Sequence, residues 1–141
     1  MSMTEEEMKE FLKEKRLARF VTLKKDGSPH ITPVWFHYEP PYFYVTARNY
    51  RSKVLHIRRD NRVALSIDRE ERPYKGVIVE GVAHLTTDRV AELTRLTARK
   101  YVLPPEDADK QADEMLTLQR ITIRIEPKKL ITWDNAKSGK S

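Results

Sequence analysis

Arg51-Ser52-Lys53 is the stretch of this sequence whose residue types and spacing best suit chemistry. A serine at a helix N-cap, with free N–H groups behind it and a cation on either side, makes a cradle for a phosphate. Thr46, at the end of the strand before it, could add a hydroxyl. The plainer reading is that Ser52 caps a helix while Arg51 and Lys53 stand in solvent. A second candidate is Thr32-Pro33-Val34-Trp35. Proline cannot donate to a sheet ladder, so Pro33 marks an edge, a bulge or a strand start. Backbone left unpaired there could offer N–H and C=O groups to the rim of a planar ring, although Trp35 and Phe36 would equally well fill a core. Tyr74, in the loop Arg72 to Gly76, could stack on a ligand. Trp133 is either a late core plug or a lid contributed to a neighbouring subunit.

Other chemistries lack their residues. The 141-residue chain contains no cysteine, which removes disulfides, thiolate catalysis and thiolate-bound metals. His30, His37, His56 and His84 show no metal-ligand spacing. No nucleophile elbow, P-loop or Gly-x-Gly-x-x-Gly occurs among only four glycines. No residue is assigned a catalytic role, so an enzyme here needs a bound cofactor to supply the reacting atoms. The net charge is +6, and between Arg48 and Arg62 six basic residues face the single acid Asp60. An anion near that segment is the expectation.

The elements that would position these residues are mostly strands. Thr4 and Glu7 form a capping-box pattern, and Met8, Phe11 and Leu12 give one apolar stripe, so residues 1–16 read as a docking helix. Residues 17–134 read as the binding domain. Phe20 to Leu23 is a strand, and Asp26-Gly27, both able to take positive φ, is a hairpin turn. His30 to Tyr38 is the returning strand, and Tyr42 to Thr46 is a third. Lys53 to Arg59 forms two helical turns with Val54 and Ile57 inward. Val63 to Ile67 and Gly76 to Leu85 are strands, the latter with a bulge at Gly81. Two helices span about 88–101 and 105–118. Ile121, Ile123 and Ile125 alternate along a strand that Pro127 ends, Leu130 to Trp133 makes a short last one, and 135–141 is a flexible tail. The expected fold class is mainly β: an antiparallel barrel of six to seven strands with peripheral helices. The acidic N-terminus lacks a signal peptide's features and no apolar run is long enough to span a bilayer, so no membrane is expected and a cytoplasmic location is.

Taken in order, several segments resemble the pyridoxamine 5′-phosphate oxidase-like, FMN-binding split-barrel superfamily. They are Leu17 to Leu23, Asp26 to His30, Thr32 to Phe36, Thr46, Arg51 to Lys53, Ile57 to Asp60, Val63 to Leu65, Val77 to Ala83 and Ile125 to Trp133. The resemblance implies a split-barrel homodimer with two cofactors at its interface. It implies a phosphate on Arg51, Ser52 and Lys53 near Thr46, and a ring along the backbone of Thr32, Pro33, Val34 and Trp35. Tyr74 and Trp133 would be further contacts, reaching across from the second subunit. Authentic pyridoxamine phosphate oxidases end in an arginine-rich substrate motif, whereas this chain reads Thr132-Trp133-Asp134-Asn135, so the likeness runs to the small relatives. These use FMN or the deazaflavin coenzyme F-420. The implied function is a flavoprotein oxidoreductase that moves hydride to or from a small organic substrate. The alternatives are a flavin-binding or storage protein without turnover and a basic β-barrel that binds nucleic acid. The last is disfavoured because Tyr42, Phe43 and Tyr44 have no basic residue among them.

Overall fold

In the computed structural model, residues 2–137 are described. The elements in chain order are α1 (Glu5–Phe11), β1 (Ala18–Leu23), β2 (Pro29–Val34), β3 (His37–Glu39), β4 (Tyr42–Arg48), α2 (Ser52–Arg59), β5 (Arg62–Asp68), β6 (Lys75–Thr86), α3 (Val90–Tyr101), α4 (Ala108–Leu116) and β7 (Arg120–Asp134), with a 3-10 turn at Pro105–Asp107. The seven strands form one antiparallel sheet in the order β2-β1-β5-β6-β7-β4-β3. The expected mainly β split barrel, with seven strands, is what the chain forms.

Chain connectivity forces the sheet to curl. β2 and β3 are its opposite edges, yet only Trp35 and Phe36 lie between Val34 and His37. Three Cα steps reach at most about 11 Å, so the two edges must come together at that crossing. The expected single strand from His30 to Tyr38 is therefore corrected to two strands that pair with different neighbours. Phe36, fully buried, plugs the crossing against Phe43 with ring centroids 6.3 Å apart. Phe20, Leu65, Ile67, Val77, Val79, Ile123 and Ile125 fill the interior. Full burial of each such side chain stabilises by about 1.5–3 kcal/mol.

Local chemistry explains the remaining elements. Thr4 and Glu7 do form a capping box, with reciprocal bonds of 2.9 and 3.1 Å, and α1 docks Met8 and Phe11 into the core. At the first hairpin only Gly27 takes positive φ (86°), not both central residues as expected. Its N–H donates to the Lys24 carbonyl at 2.9 Å, while Asp26 accepts from Ser28 N–H and Oγ. The bulge at Gly81 is present, because a Cβ there would lie 2.1 Å from the Glu126 carbonyl oxygen. It also corrects the reading of Pro127 as a strand end. Gly81 faces Pro127 and Glu80 faces Lys129, so Lys128 is the extra residue and β7 runs on unbroken to Asp134. A bulge accommodates the missing proline N–H.

At the C-terminus Asn135 donates to the Tyr74 carbonyl at 2.9 Å, and Lys137 bonds the Ser2 carbonyl at 3.0 Å and Glu7. The rest of the expected tail, 138–141, lies outside the described residues. No helix among the described residues is long and apolar enough to cross a membrane.

Candidate functional site

A cleft of about 350 Å³ opens where the sheet edges meet. One wall is the end of β2 and the crossing, with Pro33, Val34 and Trp35. The opposite wall is the end of β4 and the start of α2, with Thr46, Arg48, Arg51 and Lys53. Thr97 of α3 and Gln111 and Met115 of α4 cover it, and Arg120 forms its floor at the start of β7. The lining contains no aspartate, glutamate or histidine.

Each wall is set by its sequence. Pro33 lies on the edge strand β2, as a residue without an N–H requires. Trp35 leaves the strand, stacks on Tyr101 with centroids 5.4 Å apart and planes 3° from parallel, and carries the small cluster Ala98, Val102, Ala108 and Ala112 that seats α3 and α4. After β4 the chain turns through Arg51, whose N–H donates to the Arg48 carbonyl at 3.0 Å. The Asn49 side-chain amide donates to that of Gln119 at 3.0 Å, tying this turn to the residue just before β7. Arg51, not Ser52, is the N-cap of α2, and it makes no side-chain cap bond. This corrects the expectation for Ser52, which occupies the first helical position with an exposed side chain. Val54 N–H is bonded to the Arg51 carbonyl at 3.0 Å, so the N–H groups of Ser52 and Lys53 precede the first helical bond.

Four cations crowd one end of the cleft. Burial, then Arg51 and Arg120, push the Lys53 ammonium below its ordinary pKa. Burial, then Arg48 and Arg51, act on the Arg120 guanidinium in the same direction. Nη2 of Arg120 donates to the Thr46 carbonyl at 3.1 Å and to its Oγ1 at 3.2 Å, and Thr94 Oγ1 donates to Thr46 Oγ1 at 3.3 Å. Nε of Arg120 is buried without a partner. Half-buried, unpaired cations cost stability unless an anion joins them. The arrangement suits an anionic group at one end and a flat apolar group against Pro33, Val34 and Trp35 at the other.

Of the residues singled out in the sequence, the cleft brings together Pro33, Val34, Trp35, Thr46, Arg51 and Lys53. Thr32 does not line it, and its Oγ1 is buried without a partner. Trp133 covers Gly76, where a Cβ would meet its ring at 2.1 Å, and Tyr74 lies in the adjoining loop. Both are at the end of β7 away from Arg120, roughly 40 Å along the strand at about 3.3 Å per residue. Arg120, Thr97, Gln111 and Met115 escaped sequence reasoning. Arg120 alternates with Ile121 and reads as an ordinary outward strand residue; only the charge before an apolar alternation hinted at it.

A family model described as pyridoxamine 5′-phosphate oxidase matches residues 4–134. Among solved structures, the chain is similar to the conserved hypothetical protein Rv2991 from Mycobacterium tuberculosis, at 24% identity and TM-score 0.86 over 99% of this chain and 89% of that one. An F-420 reductase is similar at 22% identity and TM-score 0.69, over 87% and 94% of the two chains. A FAD-binding protein from Mesorhizobium loti is similar at 19% identity and TM-score 0.66, over 94% and 93%. At these identities the likenesses establish the fold. No curated protein matches the chain.

Proposed function

Because the chain belongs to the pyridoxamine 5′-phosphate oxidase family, we propose that its cleft binds a phosphorylated flavin or deazaflavin, FMN or coenzyme F-420, and that the protein is an oxidoreductase acting on a small organic substrate. The observation that carries this reading is one cleft holding unpaired cations at one end and an edge-strand proline with a stacked tryptophan at the other. The absence of any carboxylate from a lining that holds Arg48, Arg51, Lys53 and Arg120 fits an anionic ligand group. When bound, the ring system supplies the hydride acceptor or donor.

The chain's own residues bind, orient and exclude water. Arg51, Lys53 and the adjoining N–H groups of α2, with Ser52 contributing its backbone, would hold the phosphate, and Thr46 would present Oγ1 beside it. Pro33, Val34 and Trp35, with the Thr32 backbone behind them, would lie along the ring. Trp35 is held flat by Tyr101, so this wall is rigid before ligand arrives. Residues 17–134 form the binding domain in this reading. A second copy completes the site, bringing Tyr74 and Trp133 to the ring as a homodimer. The exposed Tyr74, Leu130 and Ile131 beside Trp133, between 39% and 44% accessible, offer that copy an apolar surface.

Titration of the purified protein with FMN and with F-420, followed by fluorescence quenching, tests the reading. Submicromolar to micromolar binding of one is expected; affinities weaker than about 100 μM for both would sink it. The absence of any carboxylate or imidazole from the lining also favours a carrier that binds the same cofactor without turnover. Substrate-dependent bleaching of the bound cofactor separates the two.

A further inference from the structure

We propose that α4 is a lid: it swings on α3 to open and close the cleft, and Gln111 and Met115 are the side chains it closes over the ligand. The cofactor reading above, on which this rests, supplies what is enclosed; the mobility of α4 follows from its own packing.

The support is the way α4 is attached. Its side chains fall into i,i+4 pairs, each pair on one face of the helix. Ala108 and Ala112 are the buried pair, Asp109 and Asp113 reach arginines of α3, and Gln111 and Met115 line the cleft. Two alanines are all that α4 buries, and they belong to a small cluster with Ala98 and Val102, packed by Trp35 and separate from the main core. That is little apolar area to hold a helix. By contrast, α3 buries Leu93, Thr94, Thr97, Ala98 and Tyr101 and rests on β3, β4 and β7, whereas α4 packs chiefly on α3 and on the 3-10 turn before it. Its other attachments among the described residues are two exposed ion pairs, Arg95 with Asp113 at 2.7 Å and Arg99 with Asp109 at 3.1 Å, of a kind that contributes little. No side chain among the described residues caps its N-terminus. The chain on either side is pinned: Val102 N–H donates to the Ala98 carbonyl at 2.8 Å, and Asn49 N–H to the Gln119 carbonyl at 3.1 Å. The segment between these two fixed points is therefore free to move as a unit while the sheet stays closed. Met115, unbranched and adaptable, suits a surface that must close on a ligand and leave it again.

Hydrogen exchange of the whole protein, read by peptide mass spectrometry, and stopped-flow quenching with FMN and with F-420 test this. Without cofactor, amides of 108–116 should exchange at least about tenfold faster than those of 90–101, and saturating cofactor should slow them. Replacing both ion pairs at once (Arg95→Gln, Arg99→Gln, Asp109→Asn and Asp113→Asn) keeps the net charge and changes no residue of the cleft lining. Association and dissociation both pass through the open form, so this variant should raise both rates by the same factor, about threefold to tenfold, and leave Kd within about twofold. Glu10→Gln with Lys13→Gln, which removes an exposed pair beside α1, should change neither rate. Amides of α4 that exchange as slowly as those of α3, or that cofactor does not slow, overturn the proposal. So do rates that the α3–α4 variant leaves unchanged or shifts singly, or that the control raises equally. Failure of both FMN and F-420 to bind sinks the cofactor reading, and the exchange contrast between the two helices then decides the lid by itself.

Discussion

Two clusters of basic residues in this molecule have opposite surroundings. Around the segment after α1 and the β5–β6 loop, Arg16 pairs with Glu14 at 3.0 Å and with Glu71, Arg69 with Glu14 at 2.5 Å, and Arg19 with Glu70 at 3.6 Å. In the cleft, Arg48, Arg51, Lys53 and Arg120 meet one another and no carboxylate. The first cluster ties the N-terminal segment to a loop that the sheet leaves unsupported. The second leaves its charges exposed to one another at the place where the sheet closes. A chain that pairs its arginines in one place and withholds partners in another is what the proposed binding site at the second would require. Net charge alone does not distinguish them.

The two clusters should therefore fail differently when cut. Trp35→Ala is expected to have the largest effect, because Trp35 belongs to both the cleft wall and the packing of α3 and α4. It should lower unfolding free energy by about 3 kcal/mol and weaken cofactor binding, read by denaturant melts and flavin quenching. Lys53→Ala should weaken cofactor binding by about 1.5–3 kcal/mol, the range for a charge-assisted bond, with an unchanged or raised melting temperature. Unchanged cofactor affinity in that variant would place the phosphate elsewhere. Glu14→Gln should do the reverse. Losing the shared partner of Arg16 and Arg69 should cost about 1–2 kcal/mol of stability and leave cofactor affinity as it was.

Much of this contrast was legible in the sequence. Period-two alternation, Asp26-Gly27 and Gly81 located strands, hairpin and bulge because each rests on a local steric rule. Two of the failures share a cause, which is that strand pairing and closure are long-range events. His30 to Tyr38 has a strand's composition throughout, and nothing local reveals that Trp35 and Phe36 carry the chain from one sheet edge to the other. Pro127 stops a strand by local rules, yet Gly81, forty-six residues earlier, supplies the bulge that lets β7 continue. Arg51 and Lys53 were readable because they adjoin in sequence. Arg120 comes to them only through the pairing of β4 with β7, where it faces Arg48. Ser52 was misread because cap and first-turn positions differ by one residue, which composition does not resolve.

The smallest expected effect is the difference in how the two clusters respond to pH. In the paired cluster, Arg16 holds the Glu71 carboxyl down at about 2 from its ordinary value of 4.5. A folded value below the unfolded one gives stability that is present above about pH 4.5 and lost as pH falls toward 2. The difference in stability between wild type and Glu71→Gln should therefore shrink on acidification through that window. Full exposure of Glu71 keeps the change small, and added salt should shrink it further. In the cleft stability also rises with pH, but the window is alkaline and it is the charged form that costs stability. Lys53 is pushed below its ordinary value of 10.5 by burial and by Arg51 and Arg120, so the unfolded chain holds this proton where the folded one has released it. Stability without ligand should rise with pH through that interval, relative to Lys53→Met. Cofactor affinity should fall over the same interval, because the neutral amine no longer meets the phosphate as a cation. Stability and binding moving together with pH at Lys53 would mean that its charge is compensated within the protein, and the contrast between the two clusters would be lost.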